Sequence, residues 1–372
     1  MAPLSAVTLS LKMGPLAVRP VPAVLAQAFE SATVTEAVGA RSGFQLSFSF
    51  SKTSPIATDL LPSGYFEPMT RAMLVATLRG TPVVLADGPI RRQDMTASTK
   101  PGEWKLTLTG EDMGGYMNIV DLTGVPFPAM PPFAQVAMML TKYMPLGVMP
   151  VTIPDPFSSA SSPTDSYPHQ QGTDYEYAEK LAKDAGYDWY VTCGPTPGMN
   201  TAYWGPPVRV GMMQPALTID MDQASNIDSM SFSADGNAAV LPIGFVKVAN
   251  FSVPVPVPDV GILKPPLSRR PMLPNRTRMM GTDRLKLPDV LKTLLGGAGG
   301  TDPVTATGSM DLTRYGAPLS ARKLVGVRGA GAAHDGVWFC RSVTHTLSRG
   351  SWKQAFQLSR DGFGSLVGRV AV

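Results

Sequence analysis

Strict alternation of apolar and polar residues in short runs is the feature that most constrains this chain. In FQLSFSFS, every second position from Phe44 to Phe50 is apolar. EWKLTLTG repeats the pattern with Trp104, Leu106 and Leu108. Because successive side chains of a strand point to opposite faces, runs with this period predict half-buried β-strands and not helices. The two runs therefore predict antiparallel β structure in the first third of the chain.

Two more strands are predicted between these runs. RAMLVATLRG (71–80) and TPVVLADGPI (81–90) are strand-like segments joined at a Gly-Thr-Pro turn. Several strands so close together imply a barrel or a sandwich. Ahead of all four runs, VPAVLAQAF predicts a short helix with Pro22 near its start.

The C-terminal region returns to strands in VWFCRSVTHTLSRGSWKQAFQLSR (337–360). Arg349 and Gly350 are predicted to form its hairpin turn. The alternation assigns two sets of side chains to shared faces, namely Val337, Phe339, Val343, His345 and Leu347 before the turn, and Trp352, Phe356 and Leu358 after it. The pattern predicts a second β structure similar in style to the first.

Helices are predicted between the two β regions. Asp112 can cap a short helical turn. TDYEYAEKLAKDAG has Thr173 at an N-cap position, Glu176 three residues later as in a capping box, and Gly186 as the terminator, before the strand YDWYVT. The apolar face of this helix is predicted to be Tyr177, Leu181 and Ala185, with Ala178 and Ala182. PFAQVAMMLTKYM predicts an amphipathic helix with a face of Phe133, Val136, Ala137, Leu140 and Met144.

The rest of the chain contains several proline-rich stretches. Residues 154–172, which include His169, predict an exposed loop. The alternating Val-Pro pattern in 250–284 predicts an extended arm, in extended or polyproline conformation and without ladder donors. After it, VLKTLLGGAGGTDP (290–303) predicts a short helix that ends at glycines.

The predicted fold class is mainly β with inserted α+β segments, with two related β-barrel domains in one chain. The predicted domains are a first β-barrel in 1–112, an inserted helical, α+β domain in 113–215, and a second β-barrel in 216–372 that includes the arm at 250–284.

Composition favours assembly. Charged residues make up 16% of the chain and hydrophobic residues 44%. A surface with so few charges is expected to be covered in part by subunit contacts. The net charge of +4 permits contact with nucleic acid or a membrane surface but requires neither. We expect no signal peptide and no transmembrane segment. Cys193 and Cys340 form no CxxC pattern, which favours synthesis in a reducing compartment, although a single bridge between them stays open.

The histidines are the first candidates for chemistry, since the chain has only three. Metal ligands need partners at suitable spacing, and the sequence around His345 offers none. We therefore expect His345 to hydrogen-bond across its hairpin to Gln354 or a hydroxyl. Assembly of a metal site from His345, His169 and His334 is the alternative. The sequence predicts no catalytic, cofactor-binding or metal residue and no cofactor.

Enzymatic patterns are also missing from the sequence. There is no G-x-S-x-G elbow, and the glycines of GVRGAGAAHDG and LLGGAGG match no phosphate loop. Glu111 and Asp112 are neighbours whose side chains point apart, which does not make a glycosidase pair. Convergence of distant carboxylates stays open. The chain is predicted not to be an enzyme.

Nucleic-acid binding is the other candidate. The basic residues of the arm lack the interleaved aromatic side chains that stack bases, and they are Lys264, Arg269, Arg270, Arg276, Arg278 and Arg284. A solvated or inter-subunit face is the preferred interpretation, with contact to passing DNA as the alternative.

Three segments carry a family resemblance. GVWFCRSVTHTLSRGSWKQAFQLSRDGFGS (336–365) looks like the C-terminal hairpin of phage tail baseplate central hub proteins of the late control protein D family. These are similar to the trimeric hub base of contractile injection and type VI secretion spikes. The run that begins VTEAVGARSGFQLSFSFSK at Val34 resembles the first barrel of that family, and GTDYEYAEKLAKDAGYDWYV (172–191) resembles its middle element.

The resemblance implies a structural baseplate hub of a phage tail or a phage-derived contractile injection device. Three copies would form a homotrimeric pseudo-sixfold ring that joins the hexameric tail tube to a trimeric central spike. The implied partners are the chain itself, the tail tube or tube-initiator protein, a spike on a separate chain, baseplate wedge proteins, and DNA or effector that only passes through the channel. The implied place is the tail baseplate, after synthesis in the host cytoplasm and without membrane insertion. A tail-associated cell-wall hydrolase and a standalone nucleic-acid-binding protein are the alternatives.

Overall fold

A computed structural model gives the fold. It describes residues 7–15, 17–97, 102–128, 130–155, 168–248, 251–256, 264–279 and 302–366. None of the helices in these ranges is both long and apolar enough to cross a membrane.

The secondary-structure elements of these ranges are mostly strands. They are β1 (Val7–Gly14), β2 (Arg19–Pro20), β3 (Phe29–Ala37), β4 (Gly43–Ser51), β5 (Arg71–Leu78), β6 (Thr81–Ala97), β7 (Glu103–Glu111), β8 (Val148–Thr152), β9 (Asp188–Cys193), β10 (Asn200–Gly205), β11 (Gln214–Thr218), β12 (Ser229–Ala234), β13 (Val240–Val248), β14 (Phe251–Pro256), β15 (Ser268–Pro271), β16 (Arg276–Met279), β17 (Val304–Asp311), β18 (Leu324–Arg328), β19 (Gly336–Ser348), β20 (Ser351–Arg360) and β21 (Gly362–Ser365). The helices are α1 (Ala23–Ala28), α2 (Gly114–Met117), α3 (Pro132–Thr141), α4 (Asp174–Ala185) and α5 (Leu312–Tyr315), with a π turn at Ile56–Leu60 and 3-10 turns at Met144–Leu146 and Asp222–Ala224.

Thirteen of the described strands form one main sheet. Its order is β12-β17-β20-β19-β3-β4-β7-β6-β5-β1-β2, and β18 adds to β19 and carries β11. The two β regions of the sequence meet where β3 pairs antiparallel with β19, in a register that places Thr33 opposite Thr346. The long strand β6 pairs with β5 through Pro89 and with β7 from Ile90 onward. The sheet is therefore continuous from the N-terminal to the C-terminal region.

The core of the main sheet draws on both β regions. One apolar cluster contains Leu46 and Leu108 from the first region together with Val343, Trp352 and Leu358 from the second. The buried face predicted for FQLSFSFS is confirmed, because all four of its apolar side chains are buried. The mainly β fold class with inserted α+β segments is confirmed as well.

The inserted segment has its own core. β8, β10 and β9 form a separate three-stranded sheet. A second apolar cluster joins Val136 of α3 to Ala178 and Ala182 of α4 and to Trp204 of β10. The indole of Trp204 donates a hydrogen bond to the Ala178 carbonyl oxygen over 3.2 Å. This cluster fixes α3 and α4 against the small sheet.

The helix caps follow the sequence closely. Thr173 and Glu176 form the predicted capping box of α4, and Gly186 ends this helix with a left-handed backbone at φ 66°. The Asp112 carboxylate accepts the Gly114 N–H at the start of α2, although the N-cap residue itself is Met113, which has no side-chain cap. The predicted face of α3 is only partly correct, since Met144 lies outside the helix and is exposed whereas Met139 is buried.

The buried face of β19 differs from the prediction before the turn. A β-bulge lies between Cys340 and Ser342. One extra residue reverses which side chains point inward, so Trp338 and Cys340 belong to the main core, and the assignment of Val337 and Phe339 to the face of Val343 was wrong.

The proline-rich arm also differs from the prediction. β14, which contains the Val-Pro repeat, pairs antiparallel with β13, and β16 pairs with β13 in parallel. The stretch is extended, as expected, but the expectation that it takes no part in a strand ladder was wrong. β14 is an edge strand of its sheet, where a proline can sit without breaking a ladder on both sides. Arg284, most of the helix predicted in 290–303 and much of the loop predicted in 154–172 lie outside the described residues.

Candidate functional site

The polar side of the main sheet is a surface of hydroxyl groups, which we call the hydroxyl face. It is formed by the side chains that alternate with the core residues of β12, β17, β20, β19, β3, β4 and β7. Its members are Ser229, Ser231, Ser233, Thr305, Thr307, Ser309, Ser351, Ala355, Gln357, Ser342, Thr344, Thr346, Ser348, Ser31, Thr33, Thr35, Gln45, Ser47, Ser49, Thr107 and Thr109.

The strand register aligns these side chains in rows across the sheet. One row runs Ser351, Ser348, Ser31, Ser47, Thr107. The hydroxyls of Ser231 and Thr307 lie 2.9 Å apart, and those of Thr35 and Thr344 lie 3.3 Å apart. Neighbouring strands are therefore linked by side-chain hydrogen bonds as well as by the backbone ladder.

The middle of the hydroxyl face has no charge. Its members on β19, β3 and β4 are hydroxyl and amide side chains. Charged side chains lie on the strands that flank this middle: Lys353 on β20 is opposite Thr346, and Lys105 on β7 is opposite Ser49 and pairs with Glu30 over 3.1 Å. A uniform array of small neutral hydroxyls offers water many hydrogen bonds but holds no ionic ligand tightly. Such a surface can contact an ionic ligand without binding it tightly.

His345 lies beneath this face, inside the core. Its Nδ1 accepts a hydrogen bond from the Trp352 indole over 3.1 Å, and the Gln354 amide nitrogen is 3.3 Å from the ring. Gln354 in turn exchanges two hydrogen bonds with the Leu319 backbone, of 2.8 and 3.0 Å. Burial lowers the pKa of His345 to about 3, so the ring is neutral at physiological pH. The predicted hydrogen bond across the hairpin is confirmed.

The other histidines lie apart from this cluster. His169 forms a β-bridge with Pro126, and the His334 ring stacks on Phe232 at 4.3 Å between centroids. Within the described ranges, no group of three or more His, Cys, Asp and Glu side chains has the arrangement to hold a metal ion.

The neighbouring carboxylates Glu111 and Asp112 have different surroundings. Glu111 lies 3.4 Å from Arg41 and 3.6 Å from Arg91, at the surface. Asp112 is buried and accepts hydrogen bonds from the backbone N–H groups of Gly114 and Ser42. Burial raises the pKa of Asp112 to about 7. Both side chains hold backbone and loops in place, and they do not face each other across a cleft.

The two thiols are poor nucleophiles. Burial raises the pKa of Cys340 to about 12 and that of Cys193 well above its usual value. Because the thiolate is the reactive form, neither thiol is activated at neutral pH. Both cysteines are free.

A buried ion pair attaches the inserted segment to the main sheet. The Arg71 guanidinium donates two hydrogen bonds to Asp87, of 2.6 and 2.7 Å, and a third of 3.1 Å to the Leu146 carbonyl oxygen. Asn200 of β10 donates to the same carboxylate over 2.8 Å. The pair therefore joins β5 and β6 to the insert through the hydrogen bonds to Leu146 and Asn200.

A cleft of about 530 Å³ lies where the two β regions meet the insert. Arg322 lines it with an unusual backbone φ of 66°. Its guanidinium donates to the Ala37 carbonyl oxygen over 2.5 Å and lies 4.1 Å from the centre of the Tyr190 ring. Burial raises the pKa of Glu36, and the nearby Arg322 opposes that rise. The charged groups of the cleft thus serve to hold the three regions together.

Apolar side chains are exposed on the segment between the insert and the second β region. Val208, Val210 and Met213 are exposed, and Met212 is 92% exposed. Exposed apolar residues that lie close together in the sequence are typical of surfaces that another chain covers. The basic residues Arg269, Arg270 and Arg276 are exposed too, and Arg270 lies 5.9 Å from the Phe363 ring.

The hydroxyl face was not predicted from the sequence. The signal was present, since the polar positions of SATVT, SVTHTLS and SMSFSA are almost all Ser and Thr. The pairing of β3 with β19, which makes one face from two distant regions, was not predicted.

Comparison with solved structures identifies the class of fold. Over 96% of its length the chain matches 98% of the tail protein from Neisseria meningitidis MC58, with a TM-score of 0.60 and 15% sequence identity. It matches 99% of the 43 kDa tail protein of prophage MuSo2 from Shewanella oneidensis, with a TM-score of 0.57 and 12% identity.

The third match comes from a secretion device. The E. coli c3393 protein, a component of the type VI secretion system that exhibits structural similarity to the T4 bacteriophage tail proteins gp27 and gp5, aligns with 92% of this chain. The alignment covers 76% of that protein, with a TM-score of 0.51 and 9% identity. No family model and no curated protein matches the sequence. The chain has the fold of phage tail proteins and of their type VI secretion counterparts, which confirms the resemblance at the level of fold.

Proposed function

We propose that this protein is a structural, non-enzymatic component of a phage tail or phage-derived injection device, and specifically its baseplate hub. The observation that carries the proposal is the fold shared with the Neisseria and Shewanella tail proteins along almost the whole of both chains. The match in the type VI secretion system supports the same class of device.

In this proposal the two β regions, 1–112 and 216–372, are two related β-barrels, and 113–215 is the domain inserted between them. Three copies form a pseudo-sixfold ring between the hexameric tail tube and a trimeric spike, with wedge proteins around it. The hydroxyl face lines the channel. Because its centre is uncharged, it lets DNA or effector pass without binding it.

The solution mass measured by light scattering tests the assembly. A mass about three times the chain mass of 39.5 kDa is the expected result. If the chain is a monomer alone, the measurement is repeated with the spike protein of the same device. A chain that stays monomeric in both conditions contradicts the hub proposal.

A further inference from the structure

Residues 264–279, which we call the arginine segment, form a basic surface on the second β region. Arg269, Arg270 and Arg276 are exposed in it. The sequence from 260 to 282 contains no Asp or Glu, so the segment carries no acidic side chain of its own. In the described part of the chain, no carboxylate lies within salt-bridge distance of these three guanidinium groups. Their charges are therefore available to another molecule.

Two apolar side chains are exposed in the same segment. Leu273 is 82% exposed and Met279 is 66% exposed. Leu273 lies in the short connection between β15 and β16, three residues from Arg270 and three from Arg276. An apolar side chain that is almost fully exposed gains free energy when another molecule covers it.

The connection that carries Leu273 is held on both sides. The Met272 N–H donates to the Asp361 carbonyl oxygen over 2.9 Å, and the Asn275 N–H donates to the Ala239 carbonyl oxygen over 3.1 Å. β15 pairs with β21, and β16 pairs with β13. Leu273 is therefore presented by a backbone that is already ordered, and a partner that covers it causes little further loss of conformational entropy.

Two adjacent residues, Arg360 and Asp361, fix β15 and β21 to the rest of the second β region. The Asp361 Oδ1 accepts the Leu267 N–H over 2.9 Å. Arg360 is fully buried, and its guanidinium donates three hydrogen bonds of 2.7, 2.9 and 3.0 Å to backbone carbonyl oxygens, including that of Gly362 in β21. The arginine segment is therefore tied to the core through buried polar groups.

The composition of the arginine segment favours a protein as its partner. Arginine and methionine are enriched in protein interfaces whereas lysine is depleted, and the exposed cations of the segment are arginines. A phosphate backbone would satisfy the guanidinium groups but leave Leu273 uncovered, and the segment has no aromatic side chain to stack on bases. The Trp, Tyr or Phe side chains that typically anchor a protein in a membrane interface are missing from it as well.

We propose that the arginine segment docks into a groove on a different protein of the same device, and that this groove is apolar at its base and lined with Asp and Glu at its rim. Leu273 fills the base, and the arginines form charge-assisted hydrogen bonds with the carboxylates of the rim. The inference rests on the proposed function for the place of the partner, which is another component of the device.

A photo-crosslinking residue in place of Leu273 tests the docking. The full chain with Leu273→p-benzoylphenylalanine is incorporated into the device, and the purified device is irradiated and analysed by mass spectrometry. We expect cross-links to one other protein, at an apolar residue with Asp or Glu beside it. The same substitution at Thr58, which is exposed on the first β region, is the matched control and should not label that groove. Cross-links only to another copy of this chain, to DNA or to phospholipid overturn the inference.

Charge substitutions separate docking from mere proximity. Arg270→Glu with Arg276→Glu should lower the yield of the cross-link by about tenfold or more, because like charges placed opposite each other in an interface are strongly unfavourable. Arg270→Lys with Arg276→Lys keeps the charge, loses the planar fork and should have a smaller effect. Both positions are exposed, so all variants should fold alike, which circular dichroism checks. Equal cross-link yields from the Glu and Lys variants overturn the inference.

Two further outcomes distinguish this inference from the hub proposal. A device that contains the chain but gives no cross-link from the Leu273 position above the Thr58 control overturns the docking and leaves the hub proposal standing. Absence of the chain from purified devices contradicts the hub proposal, and the inference fails with it.

Discussion

His345 shows how burial decides the role of a residue that is usually a candidate for chemistry. His345 is buried beneath the hydroxyl face, in contact with Trp352 and Gln354. Bulk water therefore cannot stabilise a positive charge on its ring. Its pKa is therefore lowered to about 3 from the usual 6.5. The same burial that excludes it from acid–base catalysis at neutral pH makes it a source of acid sensitivity.

The pH dependence of stability follows from that shift. Between pH 6.5 and about 3 the unfolded chain binds a proton at His345 that the folded chain does not bind, so stability falls as the pH falls. From pH 6.5 to 5 this residue alone is expected to cost about 2 kcal/mol of unfolding free energy. Urea unfolding at several pH values measures it. His345→Asn should remove this contribution, so that the change in unfolding free energy from pH 6.5 to 5 becomes about 2 kcal/mol more favourable than in the unsubstituted protein, whereas Asp112, whose raised pKa acts in the opposite direction, contributes equally to both.

The buried pair of Arg71 and Asp87 is the other residue-scale determinant. Asp87→Ala leaves a buried guanidinium without its carboxylate, and we expect a loss of about 3–5 kcal/mol of unfolding free energy. Asp94→Ala is the matched control, because it breaks the exposed pair with Arg92 and should cost less than about 1 kcal/mol. Equal losses in denaturant titrations of the two variants would contradict this assignment.

At the scale of elements, local sequence decides where helices begin and end. The capping box of α4 satisfies two backbone N–H groups reciprocally, those of Thr173 and Glu176. The Thr173 hydroxyl also donates to Asn118 over 2.8 Å, which ties the helix start to the segment after α2. Such caps are readable from sequence because their partners lie within one turn.

Removal of this cap should weaken α4 measurably. Thr173→Ala is expected to lower the unfolding free energy by about 1 kcal/mol. The control is Thr141→Ala, at the C-terminal end of α3. It removes a hydroxyl that donates to the Met138 carbonyl oxygen and should have a smaller effect. Thermal unfolding followed by circular dichroism compares the two variants, and an unchanged midpoint for Thr173→Ala would show that the cap is dispensable.

The bulge in β19 shows where alternation fails to predict the buried face of a strand. The period of two identifies Val343, His345 and Leu347 correctly, but a single extra residue at the bulge inverts the assignment before it. Nothing in the run GVWFCRSVTHT distinguishes a bulged from a regular strand, since every residue in it is compatible with either. The register is decided by packing of Trp338 and Cys340 into the shared core.

At the scale of the whole molecule, the hydroxyl face is the surface whose chemistry matters most for the proposed channel. Thr33 and Thr346 lie opposite each other at its centre. The unsubstituted protein is expected to have no strong affinity for duplex DNA at physiological salt. Thr33→Lys with Thr346→Lys should create affinity that falls steeply with salt, because the added charges contact phosphates.

Fluorescence anisotropy with a labelled duplex measures this gain. Thr58→Lys with Ser63→Lys adds the same charge at exposed positions away from the hydroxyl face and is the matched control. A steep salt dependence in the unsubstituted protein would instead favour the standalone nucleic-acid-binding alternative.

The sequence by itself determined the buried residues of β4 and β20 and the capping box of α4, because each depends on the period of two or on contacts within one helical turn. The tertiary structure alone decided that β3 pairs with β19. The hydroxyls of Thr35 and Thr344 that meet there are 309 residues apart in sequence. The partner of a strand depends on which edges and apolar faces remain open after the rest of the chain has folded, and alternation is equally satisfied by many partners. The same holds for Asn200 reaching Asp87, since only the packed insert brings β10 to β6.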